Sequence, residues 1–113
     1  IQRSRGLGDV YKRQILLSDQ DAKKKGVKAK FFGIDSSTHS GAAILSKRNK
    51  SPIIYASITY KNNIYEVEFV KINTSGSIND IVQQYTSEIE KTIINNPEQY
   101  FWFHKRWKSV KAY

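Results

Sequence analysis

IIYASITYKNNIYEVEFVKINTSGSINDIVQQYTSEIEKTIINNPEQY, Ile53–Tyr100, contains both hydrophobic periods of a folded protein and the point where one gives way to the other. Ile53–Tyr60 and Ile64–Ile72 are rich in β-branched and aromatic residues. Lys61, Asn62 and Asn63 lie between them, a pattern that predicts an antiparallel hairpin. In the second run Tyr65, Val67 and Phe69 fall on one face and Glu66 and Glu68 on the other, as expected of a one-sided strand near a sheet edge. After the loop Asn73–Ser77 the period lengthens: Ile78, Ile81, Val82, Tyr85, Ile89 and Ile93 recur at helical spacing through Asn95. Ser77 with Asp80 three residues on has the form of a capping box, with Asp a weaker third-position partner than Glu. Asn96 and Pro97 close this helix and open a further helical turn, Asn as cap and Pro at its first position.

Upstream the signals are shorter. Ile15–Ser18 is an apolar run that stops at Asp19, Gln20 and Asp21, and it reads as a buried strand delivering polar side chains at its carboxyl end. In α/β folds that end is where chemistry is usually kept. Ala22–Lys30 carries five lysines around Gly26 and reads as a loop. Phe31 and Phe32 make a brief apolar stop before Gly33. Ser36 and Ser37 are acceptable N-caps for a helix over Ser37–Lys50, which would place Lys47, Arg48 and Lys50 in the last turn, where the helix dipole favours cations. The order β, loop, α, β, β, α, short α belongs to the mixed α/β class.

The chain has 113 residues, enough for one domain or part of one. Its formal charge of +9 favours anionic partners and says nothing about fold. Without cysteine there is no disulfide framework and no thiolate zinc site. No apolar run approaches the roughly 20 residues needed to cross a bilayer. The charged start leads into no apolar stretch of the kind a signal peptide needs. Within that start, GLGDVYKRQ resembles the translated read-through of sequencing-adapter DNA found in metagenomic reading frames. Ile1–Gln14 is accordingly set aside as non-native, leaving fifteen basic and nine acidic residues, a net +6. The coding sequence is expected to be cut at this point, so that residues 15–113 form the C-terminal part of one larger α/β domain whose sheet is incomplete.

Several chemistries find no pattern to rest on. Neither His39 nor His104 has a His or Cys at metal-ligand spacing, and no serine sits in a Gly-x-Ser-x-Gly elbow. Gly33 and Gly41 do not form a phosphate loop, which needs a Gly-Lys-Ser/Thr run. The lysines of Ala22–Lys30 suit either a solvated loop or anionic lipid headgroups, the latter at about 1 kcal/mol per residue near an acidic surface. At the end of the chain four contiguous aromatics, Tyr100–Phe103, precede His104, Lys105, Arg106, Trp107 and Lys108. Such a segment is able to stack bases. On a helix, however, four adjacent rings point in every direction, which favours packing, with Lys105, Arg106 and Lys108 as the exposed cationic remainder. A small basic module binding single-stranded nucleic acid is the alternative from another class.

Taken in order and at their spacings, DQDA (Asp19–Ala22), FFG (Phe31–Gly33), STHSGAAILSKRNKSPII (Ser37–Ile54) and NPEQYFWFHKRWK (Asn96–Lys108) resemble the carboxyl-terminal half of the bacterial lipid A biosynthesis acyltransferases, the lauroyl and myristoyl transferase family. The resemblance runs from about Ile15 to Lys108, and its last motif is the most specific. It implies a mixed-sheet α/β acyltransferase domain with flanking helices, peripheral to the cytoplasmic face of the inner membrane. The acyl donor would be acyl carrier protein and the acceptor a hydroxyl of an anionic, phosphorylated glycolipid. No cofactor, no metal and no nucleic acid are implied. Another glycolipid acceptor is the alternative within the superfamily.

The family's general base is the His of a His-x-x-x-x-Asp/Glu motif. Here His39 is followed five positions later by Ile44 and His104 by Ser109, so the base is expected upstream of this chain. Asp19 matches the acidic residue of the family's Asp-Gln motif, as an active-site support or as a cap of the following turn. Phe31, Phe32 and Gly33 match a segment suited to walling the acyl path or to core packing. Thr38 matches a small hydroxyl residue opening the next helix, where N-capping explains it equally well. His104, Lys105 and Arg106 match the terminal cationic motif, either engaging a phosphate of the acceptor or holding the carboxyl end against the domain.

Overall fold

The computed structural model describes residues 15–17, 20–100 and 105–107. Its longest element, α2 (Ile78–Asn95), forms where the 3.6-residue period places it. The capping box is present in both directions: the Asp80 amide donates to Ser77 Oγ at 3.2 Å, and the Ser77 amide donates to Asp80 Oδ2 at 3.1 Å. At the other end the Asn96 amide reaches the carbonyls of Thr92 and Ile93. The 3₁₀ turn Pro97–Gln99 then begins with proline at its first position, as expected. Ile81, Val82, Tyr85, Ile89 and Ile93 form the buried stripe. Fully burying an aliphatic side chain contributes about 1.5–3 kcal/mol, which makes this stripe the main apolar payload of the chain.

Two hairpins use that stripe. β3 (Ile53–Lys61) and β4 (Ile64–Ile72) pair antiparallel, Lys61 opposite Ile64 at the tip and Ile53 opposite Ile72 at the base. Asn62 and Asn63 both have positive φ, as the two-residue turn with the right twist for a hairpin requires, and asparagine tolerates that conformation. The second hairpin joins β1 (Val27–Phe31) to β2 (Ile34–Thr38), with Phe32 and Gly33 as its turn, again both at positive φ. One cluster of buried residues joins Ala29, Ile72, Ile81, Val82 and Tyr85 to Ala43 of α1 (Gly41–Asn49). A second gathers Phe31, Ile89 and Ile93, with Phe32, Tyr55, Tyr100 and Trp107 packed against them. Among the described residues the fold is mixed α/β, two α-helices and two small antiparallel sheets.

Four expectations need correction. Ile15–Leu17 form no strand, and Ile15 and Leu17 are exposed. Ala22–Lys30 is not a loop throughout: Lys23–Lys25 form a 3₁₀ turn and Val27 begins β1, because Val27, Ala29 and Phe31 alternate with Lys28 and Lys30 and bury one face against α2. Ser36 and Ser37 cap nothing. They lie inside β2, and α1 starts at Gly41, with Ser40 in the cap position. The alternation of β4 is real, but its apolar side faces solvent, Tyr65 being 72% and Phe69 71% exposed. The sheet is held instead through its other face, where Ile53, Tyr55 and Ile72 meet α2. Ile81→Ala should lower stability by about 2–5 kcal/mol through cavity formation. Ser77→Ala should cost about 1 kcal/mol by removing the cap, both read from the urea midpoint.

Candidate functional site

Three consecutive hydroxyl residues of β2 are buried, although alternation would expose one of them. Each has a hydrogen-bond partner, which is what burial of a polar group demands. Ser36 Oγ donates to the Ala29 carbonyl at 3.0 Å and lies 3.3 Å from Thr38 Oγ1. Ser37 Oγ donates to the carbonyl of Lys23. Thr38, wholly inaccessible, receives Nη2 of Arg106 on its hydroxyl at 2.9 Å, while Nη1 of Arg106 donates to the Ser37 carbonyl at 2.7 Å. β2 thus pairs with β1 along one edge, its Thr38 side chain meets buried Arg106, and Asp21–Gly26 lies against Ser37 and Thr38.

Arg106 is 1% exposed, so it is no part of an exposed cationic remainder. Its guanidinium lies 5.1 Å from the centre of the Phe31 ring, and the next residue, Trp107, donates Nε1 to the Phe31 carbonyl at 3.2 Å. The Phe31 ring in turn touches Phe32 edge-on at 4.8 Å and Trp107 at 5.4 Å. Arginine fits because its planar fork reaches two acceptors at once and stacks on an aromatic face. Of the two uses open to the terminal cations, the geometry of Arg106 is that of a residue holding the carboxyl end against the domain. Lys105 is exposed. Asp19 and His104 lie outside the described residues.

Thr38 and Arg106 are therefore brought together, while Phe32 and Gly33 sit at the hairpin turn, linked to them through Phe31. Gly33 has open space where a Cβ would stand, and its constraint is a φ of 75°. Phe32 holds φ at 52° with its amide donating to Glu90 Oε1 at 2.7 Å. Residues that the sequence reading did not single out include Ser36 and Ser37 as buried strand positions, Trp107 as a donor, and three glutamines. Gln83, Gln84 and Gln99 each give and receive one hydrogen bond with the backbone of Lys30, Asn73 and Tyr60, imitating a neighbouring strand. Gln99, in the Pro-Glu-Gln-Tyr motif, thereby ties the end of the chain to β3. Nothing in local sequence distinguishes such a glutamine from a solvated one.

Among the described residues no three His, Asp or Glu side chains converge as a metal site. Asp35 is held below the ordinary carboxylate range, first by its hydrogen bond from Lys30, at 2.9 Å, and then by the charge of Lys30. Burial pushes the Tyr85 hydroxyl well above the usual tyrosine value, and this hydroxyl donates to the carbonyl of His39, fixing the β2–α1 junction.

A family model for the bacterial lipid A biosynthesis acyltransferases matches residues 12–109. The chain belongs to that family. The match spans both hairpins, both helices and the terminal motif, and begins within the segment set aside as non-native. Among curated proteins nothing matches the chain at a significant level. The family assigns the chain to acyl transfer in lipid A biosynthesis, and its described part contains no helix long and apolar enough to cross a membrane.

Arg106→Ala should destabilise the chain by about 2–4 kcal/mol, since it removes two hydrogen bonds from a charged donor and leaves Thr38 and Ser37 buried without them, readable by denaturant titration. For Tyr85 the pH dependence has a definite sign. The folded state keeps a proton that the unfolded state loses, so stability is undiminished below about pH 10 and falls above it by up to about 1.4 kcal/mol per pH unit. Tyr85→Phe should flatten that alkaline limb in pH-dependent melts while costing about 1 kcal/mol at neutral pH.

Proposed function

We propose that this chain is the C-terminal part of an acyltransferase domain that moves a fatty acyl group from acyl carrier protein to a hydroxyl of a phosphorylated glucosamine precursor of lipid A, at the cytoplasmic face of the inner membrane. The family match over residues 12–109 carries the reading. In the reaction the acceptor oxygen attacks the thioester carbonyl, a C–O bond forms, the C–S bond breaks, and the carrier thiolate leaves. The acceptor proton passes to a histidine base, and the leaving sulfur is protonated in turn.

In this reading the base is supplied by polypeptide outside this chain. Neither His39 nor His104 is followed five residues later by an acid. The open apolar face of the β3–β4 hairpin, which includes Ile54, Ile58, Val67 and Phe69, supports a larger domain, because a two-stranded sheet with such a face exposed is marginal by itself. Asp19 serves as a support for the site, Phe32 and Gly33 at the hairpin turn border the acyl path, and Lys105 and His104 meet phosphate of the acceptor. Thr38 and Arg106 act from inside the domain. The lysines at 23–25 and Lys28 suit the acidic surface of the carrier protein and the membrane.

The test is direct. With acyl carrier protein thioester and a lipid A precursor, the chain alone should give no product. Co-expressed with the upstream half of a family member it should transfer acyl groups, and Asp19→Asn in that pair should lower kcat by about 10²-fold. Product formed by the chain alone would overturn the reading, and product only on a different glycolipid would replace the acceptor.

A further inference from the structure

A two-residue turn joins its strands through a hydrogen-bonded pair. Along an antiparallel ladder such pairs alternate with pairs whose backbone groups point away from the partner strand. At Asn62–Asn63 the flanking pair is Lys61–Ile64, so Tyr60, Ile58, Ala56 and Ile54 turn their amides and carbonyls outward from β3, and their opposite numbers do so from β4. Gln99 agrees with this register: it accepts from the Tyr60 amide at 2.8 Å and donates to the Tyr60 carbonyl at 2.9 Å. The outward groups of Ile54, Ala56 and Ile58 have no partner among the described residues. Their side chains lie on the open apolar face, Ile54 61% and Ile58 66% exposed.

The outer edges of the four strands are not alike. Strands that end a sheet in water carry charges, which oppose further pairing. β1 bears Lys28 and Lys30, and Gln83 occupies the backbone of Lys30. β2 is met by Asp21 and by the Ala22 amide. β4 bears Glu66, Glu68 and Lys71. From Ile53 to Tyr60, β3 has no charge, no glycine and no proline, the composition of a strand with neighbours on both sides. Its outer edge is bounded by Gln99 at Tyr60 and by Pro52, which has no amide to give, at the other end.

We propose that the outer edge of β3 over Ile54–Ile58 is a strand-docking site, and that its occupant is an extended, uncharged, largely apolar segment of the polypeptide that bears the histidine base. Main-chain hydrogen bonds hold the segment, and its alternate side chains continue the apolar face of Ile54 and Ile58. A second copy of this chain fits less well. β3 against β3, antiparallel about Ala56, sets Pro52 opposite Tyr60, where Gln99 already stands. The inference rests on the reading that the base comes from outside this chain, and it names the seam where the two parts meet.

The test mixes the full chain, labelled for NMR, with the unlabelled histidine-bearing half of a family member. In the pair, exchange at the Ile54, Ala56 and Ile58 amides should slow at least about tenfold, while Tyr65 and Val67 on the outer edge of β4 stay within about threefold. Ala56→Pro and Val67→Pro each remove one outward amide and no bond of the hairpin, so a purely structural effect would move both alike. Recovery of the histidine-bearing half on the tagged chain should instead fall at least about tenfold in Ala56→Pro and stay within about threefold in Val67→Pro. The exchange measurement decides the matter if Ala56→Pro does not fold. No association of the halves, protection on β4 alone, equal loss in both proline variants, or concentration-dependent protection of β3 in the chain by itself, which would make the occupant a second copy, overturns the proposal. Acyl transfer by the pair with β3 unprotected would sink this inference and leave the functional reading standing. Protection of β3 without transfer would do the reverse.

Discussion

Neither hairpin of this chain is able to bury its own apolar side, and a two-stranded sheet in water is marginal without a surface to lie on. The stripe Ile81, Val82, Tyr85, Ile89 and Ile93 of α2 supplies that surface for both. Everything else is placed by it. β1 lies against the helix through Ala29 and Phe31, β3 through Ile53 and Tyr55, and α1 is drawn in through Ala43. The helix also furnishes polar ties, since Gln83 and Glu90 reach the backbone of Lys30 and Phe32, and Thr92 meets the Tyr55 hydroxyl at 2.9 Å.

Around this apolar frame the structure buries hydroxyls where a strand would ordinarily bury carbon. Ser36, Ser37 and Thr38 are all inside, and all have partners. Their partners come from the adjacent strand, from the turn at Lys23 and, for Thr38, from Arg106 near the end of the chain, which makes a short strand a junction between Asp21–Gly26, the β1–β2 hairpin and the terminal motif. An unpaired buried hydroxyl costs about 1–3 kcal/mol, so the arrangement stands only if all of its members are present.

The family's terminal motif takes on a physical meaning here. Pro97 starts a turn, Gln99 completes the edge of β3 at Tyr60, Arg106 fills the space behind β2, and Trp107 fixes the Phe31 carbonyl. A run rich in aromatic and basic residues suggests a surface for anions or bases. In this fold its described members Tyr100, Arg106 and Trp107 are buried or half-buried, and Lys105 alone of these four stands exposed.

Helix α2, its capping box, the hairpin at Asn62–Asn63 and the turn at Pro97 were all legible in the amino-acid order, because each depends on contacts within a few residues or on a period that only one geometry satisfies. The ordered motifs were likewise sufficient to assign the family. Three features were decided by tertiary structure alone. Val27–Phe31 became a strand because α2 covers Ala29 and Phe31. Ser36 and Ser37 became strand rather than cap because Ala29, Lys23 and Arg106 offered partners. Arg106 became interior because two acceptors and an aromatic face were waiting for its fork. Local sequence specifies periods and turns, whereas the burial of a polar side chain depends on partners that only the folded chain brings within reach.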